Sequence, residues 1–146
     1  MSVSSVTHDT QQLQLRVIWS AILGTVAVYA LVCFLALGAV QAADDGEIEW
    51  MRQAFSAVAV GLGGLSLWWR RHFLTAEERA VSFAQAKAHG VVTWALSEAV
   101  GLCGLVLALV VRSAREFLPF GAAAAALLLL HRPSRLLTAP QGEAGS

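Results

Sequence analysis

The chain has 146 residues, 57% hydrophobic and only 14% charged, with ten basic and ten acidic residues and a formal net charge of zero. An average soluble domain carries roughly 25% charged residues, so the composition points to a membrane protein, and neutrality removes the electrostatic footprint that nucleic-acid binding needs. Cys33 and Cys103 lie apart inside apolar runs, with no C-x-x-C or Cys/His cluster, so no disulfide framework, metal site or other cofactor is expected.

Residues 1–14 read as a small, polar, disordered tail. The first apolar span covers about 15–40 and is longer than the 7–15 residues of a secretory core, so it reads as a retained anchor. The next connection holds Asp44, Asp45, Glu47 and Glu49 and no Lys or Arg. The second span covers 51–69. After it come Arg70, Arg71, Arg79 and Lys87. Within that basic stretch Thr75-Ala76-Glu77-Glu78 has the spacing of a capping box. The spacing predicts a helix over 76–111 that begins outside the bilayer and runs into the third span, with Gly90 a weak interruption. The fourth span, 117–130, has 14 residues against the ~20 that cross a ~30 Å hydrocarbon core. Either Arg115 and Arg132 at its ends lengthen it by snorkelling or the bilayer thins around it, and an interfacial or re-entrant segment is the alternative, against which Phe120–Leu130 shows no polar face. Residues 138–146 read as a second disordered tail.

Four spans put both termini on one side. Placing them in the cytoplasm leaves seven basic residues inside and three outside (Arg52, Arg112 and Arg115), the distribution the positive-inside rule selects. Trp19, Trp68 and Trp69 then fall near the inner boundary and Trp50 at the outer one, as in an aromatic belt. The expected fold is an all-α, integral membrane, antiparallel four-helix bundle.

Within 88–111, a run of 24 residues, Glu98 is the one formal charge. A carboxylate at membrane depth costs on the order of 2.5–3.5 kcal/mol on insertion scales and marks a functional candidate. Two environments are open to it: protonated and hydrogen-bonded across helices, or ionised and paired. Arg16 is the cationic partner within reach, and Ser20, Thr93, Trp94 and Ser97 are the uncharged ones. Small residues at helical spacing mark the expected packing seams: Gly24 in the first span, Gly61 and Gly64 in the second, Gly101 and Gly104 in the third. The histidines are isolated, and neither a Ser-His-Asp order nor a second intramembrane carboxylate accompanies Glu98, so no enzyme is expected.

The segment Ala95-Leu96-Ser97-Glu98-Ala99-Val100-Gly101-Leu102-Cys103-Gly104-Leu105-Val106 resembles the carboxylate helix of the F-type ATP synthase c subunit, the proteolipid. With Gly61, Gly63 and Gly64 before it, the resemblance extends over 51–111, although the connection here is longer than the proteolipid turn. It implies proton or cation translocation with Glu98 as the ion-binding carboxyl. The whole chain also resembles a group of bacterial four-span membrane proteins with an A-L-x-E-G or A-L-x-E-A segment in the third helix, here Ala95-Leu96-Ser97-Glu98-Ala99, and an R-P-S-R-like or R-P-T-R-like end, here Arg132-Pro133-Ser134-Arg135. That second resemblance implies a fold and a bacterial inner (plasma) membrane location, and no activity. The leading expectation is a structural or interaction subunit, with the lipid bilayer and a second copy or another membrane protein as partners.

Overall fold

A computed structural model describes residues 3–37, 48–74 and 83–133. They form four α-helices and no strand: α1 (Val3–Leu37), α2 (Glu49–Leu74), α3 (Phe83–Val111) and α4 (Phe117–Leu130), with a 3₁₀ turn at Ala114–Glu116 leading into α4. The expected Thr75 cap lies outside the described residues.

Each helix has a local reason to exist. α1 meets no Gly or Pro before Gly24, so nothing in its backbone interrupts it. It starts at Val3, and the expected disordered tail 1–14 is therefore helical over most of its length. The polar residues there are propagated from the apolar helix behind them, which adds one hydrogen bond per residue ordered. α2 begins on Glu49 and ends with Arg71 and His72, charges that complement the helix dipole at both ends. α3 passes through Gly90 unbroken. It ends where Arg112 turns left-handed, at φ 56°. The Ser113 N–H then donates to the Ala108 carbonyl at 3.0 Å, a Schellman closure with arginine where glycine is usual. α4 carries Pro119 in its first turn, where a missing N–H costs nothing.

The helices run up, down, up, down. At one end Trp19 of α1, Arg70 of α2 and Trp94 of α3 all reach the last residues of α4. At the other end Arg52, near the start of α2, meets Glu116, just before α4. The first and last described residues of the apolar bundle thus share an end. α3 is the hub, with α1, α2 and α4 all packed on it, while α2 and α4 barely touch.

The core matches that plan. α3 buries Trp94, Val100, Leu107, Ala108 and Val111, and α4 answers with Phe117, Phe120, Ala124 and Leu128 at helical spacing. Two of the five glycines expected at packing seams are there. Gly101 lies close enough to Ala124 that an added Cβ would sit 3.4 Å from its methyl, and a Cβ on Gly104 would run into the Phe120 side chain. Gly24, Gly61 and Gly64 have nothing within 4 Å of a Cβ position, so they are not seams of this bundle. α2 turns Gly63 inward instead, toward Leu127. The spacing of small residues finds a face of a helix; it does not say whether that face meets a neighbour in the same chain.

Candidate functional site

Glu98 stands near the middle of α3 on the side toward α1, half-buried. The phenol of Tyr29 on α1 donates to its Oε1 at 2.9 Å. The two helices come close enough for this because Gly101, one turn further along α3, carries no side chain and takes Val26 and Tyr29 against its backbone. Among the described residues no cation pairs with Glu98.

The expected uncharged partners of Glu98 are all engaged elsewhere, and Arg16 does not pair with it. Ser20 donates to its own turn, to the Val17 carbonyl at 3.0 Å. Thr93 donates to the His89 carbonyl at 2.8 Å, and Ser97 to the Thr93 carbonyl at 2.9 Å. Ser97 also lies 3.3 Å from the Ser66 hydroxyl on α2, in a fully buried contact. Ser66, Thr93 and Ser97 therefore form a hydroxyl knot between α2 and α3, on a different side of α3 from Glu98. Trp94 points to the helix end, where its indole N–H donates to the His131 carbonyl at 2.9 Å. Arg16 lines a cavity at that same end, beside Arg132.

Tyr29 was not expected from the sequence, yet it is the chain's single tyrosine and lies in an apolar span. That singularity was the available signal. Sequence adjacency favoured Trp94 and Ser97, which share α3 with Glu98, over a residue 69 positions away.

The end of α4 gathers hydrogen bonds from all three other helices. A helix terminus leaves its last carbonyls without intrahelical partners. Here three side chains supply them, one from each other helix: Trp19 to Leu128 at 2.9 Å, Arg70 to Leu130 at 3.0 Å and Trp94 to His131 at 2.9 Å. His131 is buried at 2% exposure, and neither ring nitrogen has a hydrogen-bond partner. Burial first, and the nearby Arg70 guanidinium second, push its pKa down from 6.5 to about 4. The imidazole is therefore neutral at pH 7. Around this end the rings of Trp68 and His72 stack at 5.2 Å, and Trp69 lies 6.0 Å from His89.

The opposite end is simpler. Arg52 donates to Glu116 through two nitrogens, at 2.7 and 3.1 Å, and also faces Glu49 at 3.6 Å.

No group of three or more His, Cys, Asp or Glu among the described residues is arranged to hold a metal ion. Compared with known protein families, curated proteins and solved structures, the chain matches none. The fold and site therefore define a class and no more: an all-helical four-helix bundle with an internal phenol–carboxyl pair.

Proposed function

We propose that the chain is a small multi-pass protein of the bacterial inner (plasma) membrane, with four spans, both termini cytoplasmic and a structural or subunit-binding role. One observation supports this most. The apolar stretch Leu13–Leu37 is long enough to span a bilayer, yet only 17% of its most apolar window is buried within the chain. The core helix of a soluble protein is mostly covered by its own fold. Here Val28, Leu31, Val32, Phe34 and Leu35 all point outward on one helix, a continuous apolar surface suited to lipid or to a partner helix. Lys87–Val111 meets the same length and composition test. α2 is diluted by Gly, Ser and Trp, and α4 has 14 residues, so their span assignments rest on their place in the bundle.

Two measurements test this reading. The protein should stay with membranes through carbonate extraction. Single cysteines at Asp45 and Glu77, with Cys33 and Cys103 replaced by alanine, should label from outside intact cells at position 45 only. Labelling at 77 alone would invert the topology, and release by carbonate would end the membrane reading.

A second reading, proton or cation translocation, draws on the Tyr29–Glu98 pair: a half-buried carboxyl held by a phenol, with no cation beside it among the described residues. On this reading a lipid-soluble carbodiimide, which attacks protonated carboxyls, modifies Glu98. Glu98→Gln then abolishes ion flux in reconstituted vesicles while leaving the bundle folded. On the structural reading Glu98→Gln keeps the bond to Tyr29 and is nearly silent, and Tyr29→Phe costs about 1 kcal/mol of stability.

A further inference from the structure

The cavity beside the end of α4 has properties that neither the bundle nor the phenol–carboxyl pair uses. It is an open groove of about 390 Å³, lined by Arg16, Val17, Trp19 and Ser20 of α1 and by Arg132 and Pro133 beyond α4. Among the described residues no acidic side chain lines it. Among the described residues neither Arg16 nor Arg132 has a carboxylate or hydrogen-bond partner, although guanidinium groups are built for planar, two-pronged contacts with carboxylate or phosphate. Val17, Trp19 and Pro133 supply apolar walls, and the Ser20 hydroxyl is bonded within its own turn. The Trp19 indole is pinned by its bond to the Leu128 carbonyl, so its ring stands as a wall with no donor left over.

Beyond the cavity the exposed surface of α1 continues in a particular direction. Ser20 lies one turn below Arg16 on α1, and Gly24 one turn below Ser20. Both are exposed, and nothing lies within 4 Å of a Cβ on Gly24. The exposed side of α1 therefore runs from Arg16 through Ser20 and Gly24 toward the exposed Val28, an open track along the helix on which Ser20 is the one hydroxyl. Positive charge at the mouth with an open track behind it is the layout of a phospholipid: a phosphate at the boundary, an acyl chain along the helix. A free anion has no use for the track.

We propose that this cavity is a binding site for an anionic phospholipid of the cytoplasmic leaflet, with Arg16 and Arg132 clasping the phosphodiester and one acyl chain lying over Ser20 and Gly24. The inference rests on the membrane reading above. Basic residues near the cytoplasmic surface each contribute attraction to anionic lipid that is screened by salt. Two such residues correspond to a preference of about 10–30-fold for an anionic over a zwitterionic lipid.

The test uses the full chain in mild non-ionic detergent, titrated separately with dioctanoyl phosphatidylglycerol, dioctanoyl phosphatidylcholine and inorganic phosphate. Binding is read by native mass spectrometry and by the shift in melting temperature. Phosphatidylglycerol should bind about 10–30-fold tighter than phosphatidylcholine and raise the melting temperature. Raising the salt should erode the preference. Arg16→Gln with Arg132→Gln should abolish the preference at unchanged melting temperature without lipid, and the double Lys variant should keep part of it. Equal binding of the two lipids, or a preference that survives the double Gln variant, overturns the proposal. Stabilisation by inorganic phosphate as strong as by phosphatidylglycerol also overturns it, in favour of a free anion. Carbonate extraction separates the two failures: a resistant protein without lipid preference loses this inference alone, whereas an extractable one loses the membrane reading as well.

Discussion

The two ends of the bundle are closed by different chemistry. At the end where α4 finishes, three side chains from the three other helices donate to the carbonyls of Leu128, Leu130 and His131. Two of those donors are uncharged indoles, so salt and pH have little direct hold on them. At the other end a single arginine spans Glu49 and Glu116, and the backbone finishes α3 with a local turn. The first closure is non-local and unites all four helices. The second joins the start of α2 to the turn before α4. The difference assigns the bundle's registration to the indole end and leaves the other end to local devices.

Removing the central donor should hurt most. Trp94→Ala leaves a cavity in the core and an unpaired carbonyl, and should lower stability by ~3–5 kcal/mol in detergent unfolding. Trp94→Phe keeps much of the ring volume and loses the bond to His131, so ~1–3 kcal/mol isolates the carbonyl's share. A phenylalanine variant as stable as the parent would break the comparison at its strongest point.

Acid should act on the same end through His131. Its folded-state pKa of about 4 lies below the unfolded value of 6.5. Between those values the unfolded chain binds the proton and the folded one does not, so stability falls as pH drops from 6.5 toward 4 and levels off below. The loss is at most ~3 kcal/mol. It should vanish in His131→Phe, whose melting temperature should be flat across that window. A slope that persists in the variant assigns the acid effect to another group.

Smaller effects belong to the opposite end. Arg52→Ala should cost about 1 kcal/mol, because both partners remain partly exposed. A cost as large as that of Trp94→Phe would make the two ends equivalent. Arg112→Gly should do the reverse and stabilise by about 1 kcal/mol, since glycine takes the left-handed Schellman position without the side-chain penalty. Its melting temperature in detergent should rise; a fall would show that the arginine makes up for its own backbone cost.

Much of this fold was legible from hydrophobic runs alone. Apolar length located four helices, and the short fourth segment, 117–130, coincides with α4. What the runs do not carry is rotation. Gly61 and Gly64 have the spacing of a seam, yet Gly63 between them faces α4, because only the neighbouring helices decide which arc of α2 is inside. The same blindness separated Glu98 from Tyr29. A carboxyl was conspicuous in a charge-free run, but its partner depended on how α1 is turned against α3, which no spacing within either helix encodes. Glu116 was overlooked for a different reason: as a lone acid at a helix junction it looks like a solvated residue, and its role appears only when the start of α2 is brought beside it.

The brevity of α4 has a mechanical consequence on the membrane reading. Its 14 residues rise about 21 Å, some 9 Å short of an average hydrocarbon core. The indole and guanidinium donors make a recessed terminus tolerable, because its carbonyls need neither water nor headgroups. The surrounding lipid still has to meet the shortened edge, and it does so by dimpling. A dimple costs elastic energy around its perimeter, and two molecules that share one dimple deform less membrane than two that stand apart. Copies of this protein would therefore gather in thick bilayers, where the dimple is deepest, through the elasticity of the sheet itself, before any side chain of one touched the other.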